Sequence, residues 1–253
     1  MIDSHCHLDF DAFEHDRNEL IARCQQAGIS RIMLPGTHQA GWQQQSTLQQ
    51  AQPMLDISFG LHPYFIRDDW QQQLDYLHTL LGSIQPQAIG EIGLDASLAV
   101  PMALQQQILQ IQLKLAMSYQ LPIILHHRKT HHLLIQALKE TQFCYGGVVH
   151  GFSGSLQQAQ EYLRYGIRLG IGGTITYPRA QKTIATLKAL PDDSFMLETD
   201  APDMPLMGAQ GQRNTPLQVL KVANAVAHIR GQSVDEIDQL TTANYLATFG
   251  LSR

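Results

Sequence analysis

PIILHHRKTHHLLIQALKETQFCYGGVVH, residues 122–150, is the stretch whose reading decides the fold. It opens and closes on short apolar runs, 122–126 and 147–150, rich in Ile and Val and ending in His126 and His150. Runs of that length and branching read as buried strands. Between them, 130–141 places Leu133, Leu134, Ala137 and Leu138 at helical spacing, which predicts an amphipathic helix. Strand, helix and strand with a histidine at each strand end is one repeat of a β-then-α architecture.

Working outward, the same alternation runs along the chain. Further strands are predicted at 2–5, 31–35, 56–61, 88–92, 168–171 and 195–198, which makes eight. Amphipathic segments lie at 14–27, 71–81, 104–119 and 156–165, and another, 216–229, follows the last strand. Eight such units in 253 residues predict an α/β fold, a (β/α)8 TIM barrel forming one domain over 1–253, in preference to a doubly wound open sheet. The glutamine-rich patches GWQQQSTLQQAQ and LQQQILQIQ carry Leu, Ile and Ala at helical spacing and read as solvated helix faces.

Composition bounds the setting. A hydrophobic fraction of 44% suits one large core. No cationic segment leads into an apolar one at Met1, and no apolar run nears the ~18 residues of a membrane span, so a cytoplasmic protein with no membrane contact is expected. Three cysteines without metal-finger spacing read as reduced thiols. A formal net charge of −5 gives no global attraction for nucleic acid, so a polyanion must be held by a local site.

In a barrel of this kind the chemistry collects at the C-terminal strand ends. The first strand ends in His5-Cys6-His7, the third runs to His62, and the fourth carries Glu91. The fifth ends in His126, His127 and Arg128, the sixth in His150, and the eighth in Glu198 and Asp200. Each signal alone has a structural reading, since a His-x-His pair can be a hydrogen-bonded core pair and His62 before Pro63 can brace a loop. Converging buried charges, however, need pairing or a cation. Four imidazoles (His5, His7, His126, His150) and two carboxylates (Glu91, Asp200) without thiolate suit Zn²⁺, Mn²⁺ or Mg²⁺, and six donors exceed one tetrahedral site. Two divalent ions are therefore expected, bridged by Glu91 at the ~3.5–4 Å separation of binuclear hydrolases. Asp200 is expected both to bind metal and to act as the catalytic base that accepts a proton from water.

These residues lie in the motifs DSHCHLD, GLHP, GEIGLD, LPIILHHR, VVHGFSG, ETDAP, RNTP and NYLATFGL. In that order, from Asp3 to Leu251, the chain resembles the TatD family of metal-dependent hydrolases within the amidohydrolase superfamily. The resemblance implies a (β/α)8 barrel, a one- or two-metal centre and phosphodiester hydrolysis of the deoxyribonuclease, 3′–5′ exonuclease-like type. The family's ligands carried onto this chain fall on His5, His7, Glu91, His126, His150 and Asp200. The chain departs from the family's pattern at Tyr64, at Ala96 and Ser97, and at His127, Lys129 and Thr130, near where a substrate would enter.

Substrate contacts are expected from Arg128, as a bidentate phosphate clamp, from His62, and from Arg213, which could instead order the loop after the last strand together with Asn214. The expected substrate is a DNA end or a nucleotide-like phosphodiester, with no obligate protein partner. The alternatives are a carboxylic ester or amide hydrolase on the same centre, such as an aminoacyl-tRNA deacylase, and a non-catalytic metal-binding scaffold.

Overall fold

The computed structural model describes residues 1–252. Eight strands, β1 (Ile2–Asp3), β2 (Arg31–Pro35), β3 (Leu55–Phe59), β4 (Ala88–Asp95), β5 (Ile123–Arg128), β6 (Gly147–Val149), β7 (Ile167–Ile171) and β8 (Phe195–Leu197), lie in chain order in one parallel sheet. The sheet curls until its ends meet. Ser4 N–H donates to the Leu197 carbonyl at 2.9 Å, and Cys6 bridges Ala201 in parallel. The buried Asp3 carboxylate seals the seam by accepting from Thr199 N–H at 3.0 Å and from the Thr199 hydroxyl at 2.6 Å.

Helices α1 (Arg17–Gln26), α2 (Gln39–Ala51), α3 (Trp70–Leu81), α4 (Met102–Tyr119), α5 (His131–Thr141), α6 (Leu156–Leu163), α7 (Gln181–Ala189) and α8 (Val219–Arg230) each follow one strand, which completes a single-domain (β/α)8 barrel. The outward strand residues, among them Ile32, Leu34, Ile57, Ile89 and Leu125, pack under these helices in the main core. The inward layer at the N-terminal end of the barrel is Ile2, Met33, Ala88, Ile124, Val148 and Met196, plugged from below by Tyr245, Leu246 and Phe249 of α9 (Val234–Phe249). Sealing one end in this way leaves the barrel interior reachable from the C-terminal mouth.

Strand alternation then lifts the chemistry to that mouth. On β5, Ile124 sits in the floor layer, so His126 and Arg128 share its face, one step and two steps higher. On β4 the pairing slips by one residue between Ile89 and Ile92, a bulge that turns Glu91 and Asp95 inward. Gly93 makes this possible, because at φ +152° a Cβ there would lie 2.0 Å from the His126 carbonyl oxygen.

The predicted strands and helices coincide with observed ones to within a few residues. Segment 14–27 starts later, at Arg17, because Asp11–Phe13 forms a separate 3-10 turn. Helices α7 and α9 were not anticipated. The inward face of α9 includes Thr241 and Asn244 beside Ile237 and Tyr245, and Asn244 donates to the Asp192 and Phe195 carbonyls, so its apolar stripe is interrupted by polar residues that are satisfied only in the fold. Among the described residues no helix is long and apolar enough to cross a membrane.

Candidate metal centre

All six expected ligand residues meet at the floor of the mouth. Glu91 is 2% exposed and stands at the centre, its two oxygens facing different groups. Oε2 lies 3.3 Å from His5 Nε2 and 3.5 Å from His7 Nε2. Those nitrogens are 3.3 Å apart, and Asp200 Oδ1 lies 3.5 and 3.7 Å from them. Oε1 lies 2.8 Å from His150 Nε2 and 3.0 Å from His126 Nδ1, and these two nitrogens are 3.0 Å apart.

The donor set fits divalent cations. Bonds of about 2.0–2.1 Å to a tetrahedral ion require donor–donor edges of about 3.3–3.4 Å, close to the spacing of the His5, His7, Glu91 and Asp200 atoms. Octahedral coordination at similar bond lengths requires adjacent edges of about 3.0 Å, close to the spacing around Glu91 Oε1. No sulfur donor takes part.

The charge balance points the same way. Burial drives the His5 imidazole well below its ordinary value, so it presents a neutral donor nitrogen. Burial also opposes a charged His150, but Glu91, Asp200 and Glu198 outweigh it and raise this group to about 10. Burial raises Glu198 to about 8, with His150 opposing. The centre thus draws positive charge to itself.

Two neighbours were not assigned roles from sequence. Asp95 Oδ2 lies 3.4 Å from His126 Nε2, while its Oδ1 accepts from Ser97 N–H at 2.7 Å. A proton held on His126 Nε2 and directed at Asp95 leaves the Nδ1 lone pair free for a cation on the Glu91 side, the carboxylate–histidine arrangement common behind metal ligands. The signal was available: four residues after Glu91 on a strand is the same face. Glu198 accepts from Gly151 N–H at 2.6 Å and lies 4.0 Å from His150 Nδ1. It stands among the strand ends noted above, but only the fold shows which histidine it backs.

The expected substrate residues divide. Arg128 is exposed on the rim of a cavity of about 440 Å³ that also contains Glu91, His126, His150 and Asp200. No carboxylate pairs with it among the described residues. His62 Nδ1 accepts from Tyr64 N–H at 3.0 Å, and its Nε2 lies 3.5 Å from Glu91 Oε1. Burial lowers it to about 3, so the ring is neutral and carries its proton on Nε2, facing the centre. Arg213 stands outside the residues that line the mouth and is engaged with the loop before α1. Its guanidinium grips the Asp16 carboxylate and the Ala12 carbonyl and lies over the Phe13 ring. Asn214 orders the loop after the last strand by donating to the Thr199, Asp203 and Met204 carbonyls around Asp200.

A stability test follows from these charges. His150 holds its proton up to about 10 in the fold against 6.5 ordinarily, so its contribution is full below 6.5 and is lost as pH rises through 10. Glu198, about 8 against 4.5, has the same sign, losing its contribution as pH climbs through 8. The depressed imidazoles of His5 and His62 act in the opposite sense, but below 6.5. Chelator-treated protein is therefore expected to lose thermal stability from roughly pH 7 to 9, and added divalent ion to restore it. A Tm that climbs over that range in the chelated protein would contradict the charge assignment.

The comparisons with known proteins bear on the whole chain. The family model for TatD related DNase matches residues 2–250. YjjV of Escherichia coli K12, named an uncharacterized metal-dependent hydrolase, is 42% identical over 253 residues, covering 99% of this chain and 98% of its own. The crystal structure of YjjV matches with a TM-score of 0.95, over 100% of this chain and 98% of that one. The 3′-5′ ssDNA/RNA exonuclease TatD of Citrobacter rodentium is 30% identical over 262 residues, covering 100% of this chain and 98% of its own. Matched from its first strand to its last helix, the chain belongs to the TatD-related DNase family and is a metal-dependent hydrolase.

Proposed function

We propose that the chain hydrolyses phosphodiesters at the ends of nucleic acid strands, as a 3′–5′ exonuclease does, with two divalent ions held by His5, His7, Glu91, His126, His150 and Asp200. The observation that carries this reading is Glu91: its two oxygens address two separate pairs of imidazoles beneath a mouth whose rim presents an unpaired arginine. When bound, such ions lower the pKa of water and neutralise charge developing on the phosphoryl oxygens; zinc, manganese and magnesium all suit this nitrogen and oxygen donor set.

The remaining work falls to the side chains. Asp200, with Oδ1 beside the His5 and His7 nitrogens, takes the proton of the attacking water. His62 donates its Nε2–H to an oxygen on the Oε1 side of Glu91. Arg128 presents paired N–H groups to a non-bridging phosphate oxygen. Phe10, Tyr64 and Phe65 line the same cavity and offer a terminal nucleobase apolar faces to stack on. A continuous duplex does not enter a mouth walled by βα loops, whereas a strand end does. The exonuclease named in Citrobacter rodentium, matched along its whole length, supports the same substrate class.

The test is a comparison of substrates with Arg128→Ala. Loss of a charge-assisted phosphate contact, worth about 1.5–3 kcal/mol, should raise KM for phosphodiesters about tenfold or more with kcat little changed. Carboxylic esters should be nearly unaffected. If the protein turns over esters or amides and no phosphodiester, the ester or amide hydrolase reading replaces this one.

A further inference from the structure

The centre is not the end of the open surface. A second cavity, about 840 Å³, shares His126, Arg128, His150 and Asp200 with the mouth and leads past Lys129 to Lys182. A third, about 490 Å³, shares Lys182, Ser153 and Met204 with the second and ends at Tyr177 and Arg179. Through these shared residues the three adjoin in a row across the rim, from β5 to the N-terminus of α7, and are treated together as a groove.

The charge along this groove is opposite to that of the chain. The protein carries a net charge of −5, yet the groove exposes Arg128, Lys129, Arg179 and Lys182, and none of the four has a carboxylate partner among the described residues. Acidic groups do face it, Asp200 and Asp203, but both lie at the metal end. At the far end the Arg179 guanidinium lies 4.7 Å over the Tyr177 ring, whose hydroxyl donates to the Pro205 carbonyl at 2.6 Å. That bond fixes the ring as a platform. Met204, 44% exposed, forms the apolar ridge between the two cavities.

We infer that this groove is a subsite for single-stranded nucleic acid, in which Lys129, Lys182 and Arg179 hold the phosphates next to the scissile one and the Tyr177–Arg179 pair stacks a base. Unpaired cations along a trough with an aromatic at its end are the two elements that hold single strands without reading sequence. The subsite deepens the phosphodiesterase reading and rests on it for its direction, since the strand enters at the metal end. It also resolves the charge problem: an acidic protein keeps a polyanion by confining four cations to one track, leaving the rest of its surface repulsive.

The experiment measures binding of 5′-fluorescein-labelled oligothymidylates of two to eight nucleotides by anisotropy, with metal present, in an Asp200→Asn background that slows turnover. Affinity should rise with length to about four nucleotides and then level, and its dependence on salt should have a log–log slope near −3, from about 0.7 per phosphate at four cations. Arg179→Ala with Lys182→Ala should weaken the six-nucleotide strand tenfold or more, leave the dinucleotide unchanged, and bring the slope to about −1.5. Equal affinity for two and eight nucleotides, an unaffected double variant, or no binding of any strand overturns the subsite. A parallel assay with bis(4-nitrophenyl) phosphate and unsubstituted protein separates the two readings. Turnover of this small diester with length-independent strand binding removes the groove alone. No turnover with length-dependent binding removes the phosphodiesterase reading and keeps the groove.

Discussion

Glu91→Gln is expected to empty the centre and stop hydrolysis. The substitution keeps the shape and removes the one charge that both halves of the site share. Its amide nitrogen would point a donor at either the His5 and His7 nitrogens or those of His126 and His150, where Glu91 now presents an oxygen on each side. It would also leave His150 without the carboxylate that most favours its charged form. Replacing groups that merely hold metal ligands costs 10- to 100-fold in metal affinity or activity, so loss of the carboxylate that faces both imidazole pairs should exceed ~10²-fold in turnover. Elemental analysis and a steady-state assay under the same divalent ion check this together. Near-normal turnover with two ions per chain would show that Glu91 is not the shared ligand. A circular dichroism spectrum matching that of the parent separates loss of metal from loss of fold.

The case of Glu91 also shows what a sequence discloses and what it withholds. Its membership of the site was legible because a carboxylate at a strand end, in a chain of eight β-then-α units, has few places to go except the mouth. Their positions at strand ends likewise pointed His126 and His150 to the mouth. The inward turn of Glu91 was not legible, because the bulge between Ile89 and Ile92 adds one residue to the strand and reverses the facing of all that follow. Asp95, four residues on, shares that face whichever way it turns. The spacing alone does not show that the two carboxylates flank His126, which the fold does. Arg213 shows the opposite limit. A cation near the last strand reads equally as a substrate contact or a brace, and its pairing with Asp16, nearly two hundred positions away in the chain, is visible only in the fold. The basic groove could not be read at all, since Arg128, Lys129, Arg179 and Lys182 come from two separate segments and join only through cavities that the fold makes.

Asp200→Asn is expected to separate binding from chemistry. Asp200 adopts φ 55°, a left-handed conformation that asparagine shares readily, so the backbone should be kept. Its N–H donates to the His5 carbonyl at 2.9 Å, and Asn214 holds the following turn through the Asp203 and Met204 carbonyls. Neither contact uses the carboxylate. His5, His7 and Glu91 still converge on one point after the substitution, so much of the metal should remain. What disappears is a group able to take a proton. In the metal-free chain burial raises Asp200 from its ordinary value, with His150 and His7 opposing; bound cations would pull it back down, so it would be ionised and able to accept a proton. Removing a general base costs about 10²- to 10⁴-fold in kcat, and KM should change little, because the phosphate contacts of Arg128 and His62 are untouched. The pH profile gives the sharper readout. In the parent protein activity should rise with pH as Asp200 ionises, and this acid limb should vanish from the residual activity of the asparagine variant. If turnover stays within a few-fold of the parent, or the acid limb persists unchanged, another group takes the proton, and Glu198, buried behind His150 and raised to about 8, becomes the residue to replace next.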